Sequence, residues 1–190
     1  MSASGVDRVY LVRHGRTALN ADGRLRGLSD PPLDLVGQAE AQRLAADLAQ
    51  YVPNVVITSP LRRAVSTADA IGATADIPVV IDKRLNDRDY GPWTGRPRAE
   101  IEAQFGSVDN APGVEPADAV SARALVAFNK LTSEYQDGPL VLVSHDAFNT
   151  ALLRKLDPAL DSISQRTGCY NQLSRIGERW RVDFFDRKPQ

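Results

Sequence analysis

The stretch RVYLVRHGRTALN, residues Arg8 to Asn20, decides the fold. Its first half, Val9-Tyr10-Leu11-Val12, is an uninterrupted apolar run of strand length, as in a strand covered on both faces. Its second half crowds Arg13 and Arg16 around His14, one of only two histidines in the chain. A buried strand that ends in two permanent cations and an imidazole calls for an anion at that end.

Three further runs repeat the first: Val55–Ile57, Val79–Ile81 and Leu140–Val143. Each is short, apolar and bounded by polar or turn residues, and each reads as a buried strand. Helical periodicities lie between them. Leu35 to Tyr51 carries Ala41, Leu44, Ala45 and Leu48 on one face. Ser59-Pro60 suits a helix start, with a hydroxyl cap followed by proline, and that helix runs to about Ile71. Pro116 to Tyr135 holds Val120, Ala124, Phe128, Leu131 and Tyr135 in step, and Ala147 to Leu156 forms the last helix. The tail YNQLSRIGERWRVDFF reads as a hairpin about Gly177-Glu178, with Trp180 in the core. Strands alternating with helices predict a three-layer α/β/α sandwich with a mostly parallel central sheet. One domain over 1–190 is expected, with a short insertion near 96–138 whose Pro-, Gly- and acid-rich part covers the sheet edge.

In such sheets ligands bind beyond the carboxyl ends of the strands. Arg13 and His14, Ser59 with Arg62 and Arg63, and Ser144 with His145 all fall there, and the third run leads into LNDRDYGPWTG. A single histidine of this kind is ordinarily structural; two at equivalent strand ends point to a site. No acidic or cysteine cluster accompanies them, and two arginines repel a divalent cation, so neither a metal nor another cofactor is expected. A phosphate suits the set. Guanidinium groups grip phosphoryl oxygens in pairs of hydrogen bonds, and a neutral imidazole among them is a nucleophile. Gly15 is read as letting the backbone pass close to the bound group.

Five segments in order resemble the histidine phosphatase superfamily, which includes the cofactor-dependent phosphoglycerate mutases. They are LVRHGRTALN, GRLRGLSDPPLDLVGQAEA, TSPLRRAVSTA, DYGPWTG and VLVSHDAFNTALL. The resemblance implies a phosphoglycerate mutase-like fold and a role for each matching residue. His14 becomes the phosphohistidine, Arg13 and Arg63 hold the phosphoryl group, and His145 donates a hydrogen bond to it. Asn20 lines the phosphate site, and Arg16, Thr17 and Arg26 line its mouth. The family's acid, a glutamate four residues before the glycine of DYGPWTG, is Asp87 here, one methylene shorter. Asp89 is read as a loop cap, and Arg88 as able to fold back onto either carboxylate. Asp146 stands where the family has glycine and is read as the cap of the last helix. Arg62 is read as solvated, and Tyr90 and Trp93 as packing residues.

The function implied is a metal-independent phosphomonoester hydrolase of the histidine acid phosphatase type, acting on a small-molecule phosphate ester. Two alternatives stand beside it. A phosphoglycerate mutase shares the first step; against it, the interval from Gly95 to Leu140 is short and holds few basic residues for a carboxylate. A non-catalytic phosphate-ester-binding module has only the shortened acid in its favour. With 43% hydrophobic residues, 25% charged and a net charge of −1, a globular chain with no general nucleic-acid surface is expected. One cysteine, Cys169, excludes an internal disulfide, and no run has the length of a signal peptide core or a membrane span. A cytoplasmic protein is expected, with room for a homodimer.

Overall fold

The computed structural model describes residues 6–190. Strand β1 (Arg8–Arg13) leads through the one-turn helix α1 (Ala18–Ala21) to α2 (Leu35–Ala49). β2 (Val55–Thr58), α3 (Arg62–Ala75) and β3 (Val79–Ile81) follow. The chain then crosses three 3₁₀ turns and α4 (Arg98–Phe105) before α5 (Ala117–Glu134), β4 (Leu140–Ser144) and α6 (Asp146–Leu156). The hairpin β5 (Tyr170–Ile176) and β6 (Arg179–Arg187) completes one six-stranded sheet in the order β3-β2-β4-β1-β5-β6. The first four strands are parallel, and β5 and β6 are antiparallel to their neighbours.

Alternation along the strands builds the three layers. Val9, Leu11, Ile57 and Leu142 point to one face, against Phe128 and Leu131 of α5 and Phe148 and Leu152 of α6. Tyr10, Val12, Val56 and Val143 point to the other, against Leu44 and Leu48 of α2 and Ala64, Ala68 and Ile71 of α3. Apolar residues therefore run without a break along each central strand, because both faces are covered.

Four expectations shift. β3 is not buried: it is the sheet's outer strand, paired only to β2, and Ile81 is 59% exposed. Helix α3 starts at Arg62, not Pro60; the Ser59 hydroxyl accepts from the Leu61 N–H at 3.3 Å and also bonds His145. Trp180 is only half-buried and packs edge-on against Phe128, at the rim of the core. The segment 96–116 is a small structure of its own: Ile101, Val108 and Ala111 pack on Leu25 and Tyr90, with Trp93 edge-on to Phe105. It caps the carboxyl end of the sheet, whereas α5, which the expected insertion included, belongs to the sandwich itself.

Register brings the strand ends level. Arg13 of β1 lies opposite Ser144 of β4, and Thr58 of β2 opposite Val143. The next residues, His14, Ser59 and His145, leave three adjacent strands at one height.

Candidate active site

His14 is fully buried, and its ring is fixed from both sides. Nδ1 lies 2.7 Å from the carbonyl oxygen of Gly15, which only an N–H can satisfy. The proton therefore sits on Nδ1, and the lone pair of Nε2 accepts from Nε of Arg63 at 3.2 Å. Burial, then the neighbouring Arg63, His145 and Arg13, holds the imidazole well below its ordinary pKa, so it is neutral at neutral pH.

Arg63 has no exposed surface. Besides His14 it donates to the carbonyls of Ser29 and Gly27, each at 2.7 Å, and to Oδ2 of Asp87 at 3.1 Å. One side chain thus ties α3 to the loop after β1 and to Asp87 while it faces His14. Arg62, its neighbour, points to solvent.

His145 is equally buried, with its ring centroid 5.1 Å from that of His14. Its Nε2 lies 2.8 Å from the Ser59 hydroxyl, and its Nδ1 has no hydrogen bond and lies 3.8 Å from Oδ2 of Asp87. A lone pair aimed at a carboxylate is unfavourable, so we assign the Nδ1 proton to that side, with Ser59 donating to Nε2. Burial first, then Arg63 and Arg26, keeps this ring neutral too.

Asp87 is 3% exposed. Oδ1 accepts from the backbone N–H of Arg88 at 2.9 Å. Its loop is drawn in from α5: Arg123 donates to the carbonyls of Asn86 and Asp87, both at 2.9 Å, and is itself held by Glu115 at 2.7 Å. The Ser144 hydroxyl bonds the carbonyl of Leu85 in the same loop. This clamp is how the shorter acid comes within reach of Arg63 and His145. The Arg88 side chain does not fold back onto Asp87 or Asp89. It pairs with Asp109 at 2.6 Å and the Glu115 carbonyl at 2.7 Å, because the 96–116 segment offers those acceptors on its other side. Asp89 is exposed and accepts from the Gly91 N–H at 2.8 Å.

Arg13 is 7% exposed, reaches the Gln165 carbonyl and lies 3.4 Å from Asp146, with its Nε buried and unpartnered. Asp146 is the first residue of α6 rather than its cap; the cap position is His145, and the carboxylate turns to Arg13 instead. Thr17 is buried and caps α1 through a reciprocal pair with Asn20. Asn20 and Arg16 line a cleft of about 260 Å³ above Arg13, with Arg24, Arg26, Arg98 and Asp146. Arg16 is also paired to Asp34 at 2.8 Å. Gly15 meets a backbone rather than an open site: a Cβ there would collide with the Gly37 carbonyl of α2.

Sequence reading missed Arg123, the hydroxyl of Ser59 as a partner of His145, and Gly37. Arg123 had a signal, since it falls between Val120 and Ala127 on the buried stripe of its helix. Among the described residues, no three His, Cys, Asp or Glu side chains gather as a metal ion would require.

A buried, neutral imidazole with a fixed lone pair, an arginine upon it and a carboxylate beside it form one unit. The family model for the histidine phosphatase superfamily (branch 1) matches residues 9–187. The chain belongs to the histidine phosphatase superfamily. Among this histidine phosphatase's relatives, the uncharacterized phosphatase PhoE of Bacillus subtilis (strain 168) is 30% identical over 178 residues, covering 92% of this chain and 91% of its own length. The solved structure of a mycobacterial glucosyl-3-phosphoglycerate phosphatase with VO3 superposes with a TM-score of 0.82 at 29% identity, covering 96% of this chain and 100% of that one. A 2,3-bisphosphoglycerate-dependent phosphoglycerate mutase of Corynebacterium efficiens is 42% identical over 104 residues, which is 52% of this chain and 42% of its own. The likeness to phosphatases runs nearly full length, that to a 2,3-bisphosphoglycerate-dependent phosphoglycerate mutase of Gloeobacter violaceus runs over 78% of this chain at 36% identity, and the phosphatase assignment stands over the mutase one.

Proposed function

We propose that the chain is a phosphomonoester hydrolase of the histidine acid phosphatase type, working through a phosphohistidine on His14. The observation that carries this reading is the Nε2 lone pair of His14, held toward Arg63 by the Nδ1 bond to Gly15. In the first step Nε2 attacks phosphorus and the P–O bond to the leaving group breaks. Asp87 in its acid form gives that oxygen a proton. Arg13, Arg63 and the Nδ1–H of His145 face the phosphoryl oxygens as charge moves onto them. In the second step the Asp87 carboxylate takes a proton from water, whose oxygen attacks phosphorus. The P–N bond then breaks, releasing phosphate and neutral His14. The depressed basicity of His14 supports the acid type, because the nucleophile stays unprotonated in mildly acidic solution.

The test is hydrolysis of p-nitrophenyl phosphate with no added metal, with and without a strong chelator, while acid-labile phosphoprotein is trapped. Turnover, insensitivity to chelation and a trapped phosphohistidine are expected. Loss of turnover in chelator, restored by magnesium or zinc, overturns the mechanism. Conversion of 3-phosphoglycerate to its isomer with the bisphosphate cofactor, faster than hydrolysis, assigns a mutase instead. A cytoplasmic setting is part of the proposal, supported by a single cysteine whose thiol is buried and pushed far up in pKa by that burial. No helix among the described residues is long and apolar enough to cross a membrane.

A further inference from the structure

Arg13 is held by two partners of different kinds. One is the carbonyl of Gln165, which accepts from Nη1. The residue that carries it is 5% exposed, and its side chain is tied down by other amides. Its Oε1 accepts from Asn171 at 3.0 Å and from Asn149 at 3.2 Å. Its Nε2 donates to Asn171 at 2.7 Å and to the Ser164 carbonyl at 2.9 Å. Asn171 in turn donates to the Leu11 carbonyl of β1 at 2.7 Å. Three buried amides, from α6, β5 and the segment between them, therefore fix this carbonyl, and a buried polar network of this kind is rigid.

The other partner is Asp146. Its Oδ2 lies 3.4 Å from the same Nη1, farther than the 2.8 Å between Arg16 and Asp34, and its side chain is 38% exposed. Its Oδ1 accepts from the Thr150 hydroxyl at 3.3 Å. Asp146 also lines two cavities at once. One is the cleft of about 260 Å³ above Arg13; the other, of about 270 Å³, lies between the cap, α5 and α6 and is lined by Arg88, Arg98 and Arg154 as well. The Nε of Arg13 is buried with no partner. The guanidinium thus has one fixed bond, one looser charge contact and one edge left for a phosphoryl group. A dianion on that edge lies beside the Asp146 carboxylate, and like charges brought together in a partly buried site repel.

We infer that Asp146 is a displaceable counter-ion of the phosphoryl grip. It neutralises Arg13 while no phosphate is bound, and it opposes the dianion that displaces it. Substrate and free phosphate meet the same opposition, so the carboxylate loosens both and speeds product release. Once displaced, it turns toward the second cavity, where guanidinium groups compensate its charge. Arg13 stays aimed throughout, because the Gln165 carbonyl holds its position. This rests on the phosphatase reading above. A carboxylate in the first turn also favours its helix, but that role alone would give Asp146 no influence on phosphate.

The experiment uses Asp146→Asn, which keeps the shape and removes the charge. Binding of inorganic phosphate is read by calorimetry and by phosphate-induced thermal shift, neither of which needs turnover. The variant should bind phosphate about fivefold more tightly, and the gain should shrink in high salt. With p-nitrophenyl phosphate, KM and the inhibition constant of phosphate should fall by a similar factor, with kcat at or below wild type. Asp146→Glu keeps the charge and should not tighten phosphate binding; tightening there too would overturn the inference. Asp146→Ser repeats the test if Asp146→Asn fails to fold. A lower melting temperature with unchanged phosphate affinity would reduce Asp146 to a helix-stabilising residue and overturn the inference. A fall in kcat with KM unchanged would do the same, since it would place Asp146 in the chemical step. If p-nitrophenyl phosphate is hydrolysed but wild type and variant bind phosphate alike, the counter-ion is refuted and the phosphatase reading survives. If nothing is hydrolysed yet the variant binds phosphate more tightly, the counter-ion stands and the phosphatase reading falls.

Discussion

The floor of the site and its mouth are built differently. On the floor, His14, Arg63, Asp87 and His145 are between 0% and 3% exposed and hold one another. Arg63 alone touches the nucleophile, the acid and two backbone carbonyls. At the mouth, Arg16, Arg24 and Arg26, on the loop after β1, are partly exposed and Arg98, on α4, is exposed; Arg16 is held by Asp34, while the others make longer ion pairs or none. The floor is a single preorganised unit in low dielectric, so losing one member disables the rest. The mouth is a set of nearly independent charges, so its members should trade affinity in small steps. Under the proposed function, chemistry belongs to the first region.

The sharpest way to break this contrast is at the nucleophile. His14→Ala should lower turnover by about three orders of magnitude or more and abolish acid-labile phosphoprotein, measured with p-nitrophenyl phosphate. A residual rate above about a hundredth of wild type would move the nucleophile elsewhere. Next in size are the paired arginines of α3. Arg63→Ala should cost about a hundredfold or more, since it strips the floor of its central donor, whereas Arg62→Ala should stay within about twofold. Equal effects would place the site on the wrong face of that helix.

The acid comes third. Asp87→Asn should slow alkyl phosphates by roughly a hundredfold, the usual worth of a general acid, because an alkoxide leaves poorly without a proton. The burst of nitrophenolate from p-nitrophenyl phosphate should persist, followed by accumulated phosphoenzyme, since dephosphorylation still lacks its base. Asp89→Asn should leave both substrates within a few-fold. A rapid-mix comparison showing the selective defect in the Asp89 variant would shift the acid two residues along the loop.

The smallest effect is graded by pH. Both floor histidines are neutral through burial and neighbouring arginines, and their folded pKa values lie below the ordinary value of about 6.5. The unfolded chain takes up protons near 6.5 that the folded floor refuses, so their contribution to stability is full above that pH and declines as pH falls toward the folded values. Thermal melts should drop between pH 7 and 5, and His145→Asn should flatten part of that drop. The acid limb of kcat/KM should lie below pH 6.5; a limb at or above it would mean an ordinary, solvated imidazole.

Most of the sandwich was legible because its signals are periodic and local. The strand runs of β1, β2 and β4 and the stripe of α5 each declare themselves within a few residues. β3 carried the same apolar signal yet lies at the sheet's edge, since an apolar run does not say how many neighbours a strand has. Arg13, His14, Arg63 and His145 were legible from strand ends and resemblance. The contacts of Ser59 with His145, of Arg123 with the Asp87 loop and of Asp146 with Arg13 join segments 36 to 133 residues apart in the chain, and no local pattern encodes them. Single-residue rules misled there: Ser59 and Asp146 suit helix caps, but a buried imidazole and a buried guanidinium were stronger partners.

The backbone crossing of Gly15 and Gly37 carries a consequence for how such a protein can change. A Cβ on Gly15 would strike the Gly37 carbonyl, and a Cβ on Gly37 would strike the backbone of Arg16. Two main chains touch here with no side chain between them, directly behind the residue whose carbonyl fixes the His14 proton. Compensating mutations have nothing to act on, because neither partner has an atom to trim. Gradual redesign can therefore rework the cap and the cleft arginines one at a time, while α2 and the nucleophile's loop pass to any descendant or engineered variant as one inherited part.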